Sequence, residues 1–186
     1  MAKNPYTKTV KLFSKAESLY IQRVEDAVLL SEGHIIVKIH IAAYDVFFRP
    51  ASGQFIDMND GEKAARIGNA TMPEKSRDSF DISKCFDGFR DISGEVVTAS
   101  PFLMEYTPCS NKKQLLRMFC GRSYYVTVNN DFYAIAEECG FQYFSSKGDS
   151  ISPVFAESGD YNGIAILPVR ADQQKIDEFI QAGAVR

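Results

Sequence analysis

The sequence predicts an α+β chain: an antiparallel sheet with helices on one face, made of two degenerate strand–helix–strand–strand units with a helix at each end. Three observations lead there. Residues 27–41 place β-branched residues at period two around a Glu32-Gly33 turn. Residues 130–140 are framed by an asparagine cap and a closing glycine, and residues 172–182 carry Ile176, Phe179 and Ile180 at helical spacing. The second half also repeats the pattern of the first at an offset of about 88 residues. With 186 residues, 45% of them hydrophobic, the chain can build one substantial core, so a single domain over 1–186 is expected, with pseudo-repeat units near 27–67 and 115–170.

Asn4-Pro5 reads as an N-cap followed by proline at the first helical position. Tyr6, Val10, Phe13 and Tyr20 follow at helical spacing. AVLLS (27–31) and HIIVKIHI (34–41) then form a hairpin. Ile35, Val37, Ile39 and Ile41 lie on one face of the second strand; His34, Ile36, Lys38 and His40 lie on the other. A short helix is expected around 43–48, a second hairpin turning at Asp60-Gly61, and a polar loop over 68–79. DISKCFDGFRD (81–91) fits a helix with Ile82, Phe86 and Phe89 on one stripe.

The repeat follows from setting Gly33 against Gly121. HIIVKIHI then meets RSYYVTVN, AAYDVFF meets DFYAIAEEC, and QFIDM meets FQYFSS. Asn129 or Asn130 caps the second helix and Gly140 sits at its C′ position.

Several chemistries find no support. The chain has no G-x-S-x-G elbow, Walker A loop, H-E-x-x-H or dinucleotide glycine fingerprint, so no enzyme and no cofactor is expected. The two histidines, six strand residues apart, stand about 20 Å from each other, too far for one metal that needs each nitrogen at about 2 Å. Asp57, Asn59, Asp60 and Glu62 suggest a calcium loop, but the glycine and glutamate positions of such a loop hold Glu62 and Gly68. Cys85, Cys109, Cys120 and Cys139 contain no C-x-x-C pair and are expected as reduced core thiols. Cys120 lies close to Arg122 in sequence, leaving a Cys–His hydrolase with His34 or His40 as a remote alternative. The N-terminal stretch has no apolar segment followed by small residues, and no run is long enough to span a bilayer, so a cytoplasmic chain without membrane contact is expected.

Net charge is −3, yet the charges are segregated. Between Tyr106 and Asn130 lie Lys112, Lys113, Arg117 and Arg122 without an acidic residue; with Phe119, Tyr124 and Tyr125 interleaved, this stretch fits phosphate contact and base stacking. Asp131, Glu137, Glu138, Asp149, Glu157 and Asp160 follow with Lys147 alone against them, a pattern that fits mimicry of a phosphate track.

The stretch VTVNNDFYAIAEECGFQYFSSKGDSISPVF with its ending GIAILPVR (residues 126–170) resembles the last repeat of bacterial β sliding clamps. Gly148, Ser152 and Pro153 match that repeat's turn, and Ile166 to Arg170 match its tail. The chain departs from the family in having fewer repeat units and in continuing past the clamp-like end; the resemblance implies architecture, and a DNA-associated module as a function. In size, mild acidity and lack of catalytic motifs, the chain also resembles accessory proteins of phages and conjugative elements, including anti-CRISPR inhibitors of Cas9. Those share no signature, so no residue carries over. The expected function is therefore a non-enzymatic inhibitor that binds a protein partner, Cas9 with guide RNA being the specific expectation, through the acidic set. The alternative is a clamp-like module that binds nucleic acid through Lys112, Lys113, Arg117, Arg122 and Tyr124.

Overall fold

The computed structural model describes residues 4–52, 54–108 and 112–184. In chain order these form α1 (Thr7–Lys15), β1 (Ser18–Val24), β2 (Ala27–Ser31), β3 (Ile35–His40), α2 (Ile41–Ala43), a π-helical turn (Tyr44–Phe48), α3 (Arg49–Ser52), β4 (Lys63–Ile67) and β5 (Glu74–Lys75). Then come α4 (Ile82–Ile92), β6 (Glu95–Tyr106), β7 (Gln114–Cys120), β8 (Tyr125–Asn129), α5 (Asn130–Glu138), β9 (Phe144–Ser146), β10 (Val154–Ser158), β11 (Asn162–Ile166), α6 (Gln173–Phe179) and a closing π-helical turn (Ile180–Ala184).

The described strands make one antiparallel sheet in the order β5-β4-β1-β2-β3-β11-β10-β9-β6-β7-β8. Its two halves meet where β3 pairs with β11, Ile35 opposite Ile166 and Lys38 opposite Gly163. This is the expected α+β architecture. Alternation along the central strands explains why they are apolar throughout. Leu30, Val37, Ala156 and Ile164 point to the large core under α1, the 41–52 helical stretch and α5, while Leu29, Ile36, Phe155 and Ala165 point the other way, to Ile82 and Phe86 of α4. Helices therefore cover both faces. The expectation of one helical face holds for the first group; α4 and α6 cover the opposite side, α6 by setting Ile176 against Met104, Leu116 and Met118.

Two strands end in similar caps. His40 ends β3 and its Nδ1 accepts the Ala42 N–H at 3.0 Å; Asn129 ends β8 and its Oδ1 accepts the Asp131 N–H at 2.8 Å. Each strand thus runs straight into a helix of the main core.

Four local expectations need correction. Residues 18–24 are a strand rather than the tail of α1: Ala16 turns extended, and Leu19 and Ile21 then bury at period two. The segment before Asp60-Gly61 is not a strand, so no hairpin forms there. β4 pairs with β1 instead, and the turn is fastened by the Glu25 N–H on Asp60 Oδ1 at 2.6 Å and the Gly61 N–H on Arg23 O at 3.1 Å. Glu62 is held down to about 2 by the Asn59 N–H and then Lys75, a role within the turn. The loop over 68–79 contains the short edge strand β5. Finally, the longest strand, β6, escaped notice because Ser100-Pro101 interrupts its alternation; its pairing with β7 shifts register between Ala99 and Leu103.

Candidate protein-binding groove

α5 ends in a left-handed turn at Gly140 (φ 83°), where the Gly140 N–H donates to Glu137 O and the Phe141 N–H to Ala136 O, each at 3.0 Å. The turn buries Phe141 and delivers the chain to β9. β9 then pairs with β6 at three positions, Glu95 with Ser146, Val96 with Ser145 and Val97 with Phe144. Beyond Val97, Thr98 and Ala99 keep β7 on one side, with no described strand on the other.

A groove of about 640 Å³ opens there, between the edge of β6, the end of α5 and residues 140–143. Tyr133 is its fixed wall. The Arg117 guanidinium lies 4.8 Å from its ring centre, and the rings of Phe119 and Phe144 pack against it at 5.6 and 6.0 Å. Burial raises the Tyr133 hydroxyl above its ordinary pKa, and neighbouring Glu137 adds to this. On the open side, Tyr143 is 84% and Val96 73% exposed. Glu137 is the one charged side chain in the lining.

The acidic residues singled out in the sequence do not form one surface. Glu138 is used internally: its carboxylate accepts the N–H groups of Lys8 and Thr9 at the start of α1. Asp149 closes a turn by accepting the N–H groups of Ile151 and Ser152, and hydrogen bonding, from Ser152 above all, holds it below the usual carboxylate range. Glu157 lies on the α4 side of the sheet, 3.9 Å from Lys38; burial raises its pKa and Lys38 partly offsets this. Asp160 is exposed at the β10–β11 turn. Asp131 and Glu137 are exposed on α5. A continuous phosphate-like track is therefore not formed, because these carboxylates fall on both sides of the sheet and several of them have internal partners.

The basic stretch divides in the same way. Arg117 donates to Ser100 O at 2.7 Å and Asn130 Oδ1 at 3.2 Å, which commits it to the β6 bulge and the start of α5. Tyr124 lies over Gly121, where a Cβ would come 2.2 Å from its ring, so that ring is not free to stack on a base. Lys112, Lys113 and Arg122 are exposed, Lys113 at 3.7 Å from Glu105.

The histidines and thiols are not brought together as a catalytic pair among the described residues. His40 caps α2 and packs edge-on to Tyr161 at 4.9 Å; His34 lies beside Glu32. Burial raises the thiols of Cys85, Cys120 and Cys139, the last to about 11, the reverse of what a nucleophile needs. Cys109 lies outside the described residues. Among the described residues no group of three or more His, Cys, Asp or Glu is placed to hold a metal ion, and no helix is long and apolar enough to cross a membrane.

The groove residues Val96, Tyr133 and Tyr143 were missed by sequence reasoning. The available signal was FQYF (141–144), in which Phe141 and Phe144 are buried while Tyr143, between them, faces out. No family model, curated protein or solved structure matches this chain.

Proposed function

We propose that this protein is a non-catalytic, cytoplasmic binding protein that inhibits a nucleic-acid-handling partner by occupying its surface, a guide-loaded Cas9-type effector being the specific partner. The observation that carries the binding role is an exposed tyrosine, Tyr143, lining the same groove as Tyr133, whose ring is packed by Arg117, Phe119 and Phe144. Tyrosines that are large, amphipathic and already held in place supply contact area at low entropic cost, and such residues concentrate at protein interfaces. Glu137 and Asp131, exposed on α5, favour a partner surface of positive potential, which nucleic-acid-binding proteins present. The assignment to Cas9 rests on the general resemblance to anti-CRISPR proteins. Inhibition would come from masking a DNA-binding surface or blocking a conformational step.

A second reading draws on exposed Lys112, Lys113 and Arg122: a clamp-like module that grips phosphates directly. Fluorescence anisotropy of a labelled target duplex, with and without guide-loaded Cas9 and at two salt concentrations, separates the two. Altered DNA binding in the presence of Cas9 alone supports the inhibitor. Binding to the bare duplex that weakens steeply with salt supports the second reading. Silence in both arms, with target cleavage by Cas9 also unchanged, overturns both.

A further inference from the structure

We propose that the groove takes an extended segment of a protein partner as an added strand on the edge of β6, with a lysine or arginine of that segment against Glu137. This deepens the protein-binding reading and rests on it for the existence of a partner.

The backbone defines the occupant. Each strand residue offers an N–H and a C=O, and a sheet edge without a neighbour is a template for another extended chain. At Thr98 and Ala99, β6 has β7 on one side and the groove on the other. The protein's own chain does not fill that place. Gly140 and Phe141 are committed to α5 by their hydrogen bonds to Glu137 O and Ala136 O, and Phe141 is drawn into the core, so the β9 ladder ends at Phe144. The edge is also bounded. Ser100 Oγ accepts the Phe102 N–H at 3.2 Å and Ser100 O accepts from Arg117, which locks the bulge that follows. The added strand is therefore short.

Side chains and charge narrow the occupant further. Successive residues of an added strand point alternately to either side. One side of the groove offers the ring of Tyr133, the other the exposed Val96 and Tyr143, so the segment carries apolar or aromatic residues. Glu137 is the one charged group in the lining, so the complementary segment is basic.

The test starts with panning a phage-displayed library of random linear peptides against the whole protein, followed by titration of the enriched peptides in solution. The expected peptides alternate apolar residues, carry a lysine or arginine and lack a central proline. Their binding slows amide exchange at Thr98 or Ala99. Glu137→Lys and Tyr143→Ser, both at exposed positions, weaken the peptides about tenfold or more. Placing glutamate at the peptide's basic position restores affinity for Glu137→Lys, a rescue that mere loss of folding would not permit. No enrichment, affinities unchanged in both variants, or protection elsewhere overturns the proposal. So does a dimer that these variants dissociate in sedimentation, which would give the edge to a second copy. Excess peptide added to the Cas9 titration keeps the two readings apart: a Cas9 effect that survives it overturns strand addition and leaves the inhibitor standing, whereas peptide binding without any Cas9 effect does the opposite.

Discussion

The carboxylate of Glu138 caps a helix to which it does not belong, accepting the N–H of Lys8 at 2.8 Å from a position 130 residues further along the chain. The Thr9 N–H adds a bond at 3.2 Å. α1 has no acidic residue in its own first turn and no side-chain cap at Tyr6, so Glu138 supplies both the acceptor and the negative charge that a helix N-terminus favours. Glu138→Ala is expected to cost about 1–2 kcal/mol in chemical denaturation, while Glu137→Ala next door stays within about 0.5 kcal/mol. Equal stabilities for the two variants would remove the capping role. It follows that reversing Glu138 to lysine acts on folding before it acts on any partner.

Gly163 is where β11 makes room for α4. A Cβ there would stand 2.5 Å from Phe86 Cζ and 3.0 Å from Glu157 Cγ. Since Phe86 is buried against Phe155, its ring has little freedom to retreat. Gly163→Ala is expected to destabilise the protein by about 1–3 kcal/mol. A smaller side chain at position 86, Phe86→Leu, should make the added methyl less costly, and a double-mutant cycle measures this coupling. Strict additivity would show that the contact is not responsible.

Arg117 distinguishes structure from recognition within the basic stretch. Its guanidinium serves the β6 bulge, the start of α5 and the Tyr133 ring at once. A lysine lacks the planar fork needed to reach all three. Arg117→Lys and Arg117→Ala should therefore both lower the melting temperature, the alanine variant losing about 2 kcal/mol of stability. Lys112→Ala with Lys113→Ala should leave it unchanged. If the lysine variant melts like the wild type, positive charge alone accounts for the role of Arg117 at this site.

Alkaline pH probes Cys139. Burial pushes its thiol up to about 11 from an ordinary value near 9. The folded state therefore holds this proton more tightly than the unfolded chain. The resulting stability is complete below pH 9 and disappears as pH rises toward 11. Wild type should lose more stability across that window than Cys139→Ala, by about 2 kcal/mol at most. Parallel pH profiles would show that burial of this thiol carries no such linkage. Alkylation at neutral pH, followed by mass spectrometry, should also be slower for Cys139 in the folded protein than after denaturation.

Elements with local signals were legible. Asp81 before α4, Asn129 before α5 and Gly140 after it mark their helices in the sequence, and the Ile82, Phe86 and Phe89 stripe marks the face that α4 packs on the sheet. Elements defined by distant partners were not. The helix-to-strand change at Ala16 is consolidated by Arg66, whose side chain donates to the carbonyls of Phe13 and Ala16 from 53 and 50 residues away. β6 hides behind its Ser-Pro bulge. For the surface, segregated charge was legible but its use was not: nothing local tells that Glu138 and Asp149 are consumed by backbone N–H groups while Glu137 faces out. The groove itself arises because β9 ends early, a property of pairing rather than of composition.

The strand that joins the two halves of the sheet is also the last of the described strands in chain order. Ile35 of β3 pairs with Ile166 of β11, 131 residues later, and two residues beyond the Leu167 N–H bond to His34 O, Val169 reaches Thr127 on β8. During synthesis on the ribosome, β3 must therefore wait with one edge open until β11 has emerged. Contacts of such long range are slow to form, and the waiting edge is an aggregation hazard. A nascent chain arrested before residue 160 has its two half-sheets but not the strand between them, and should depend on chaperones or be degraded. Fast translation of the segment that leads to β11, rather than pauses within it, is the regime that suits this fold.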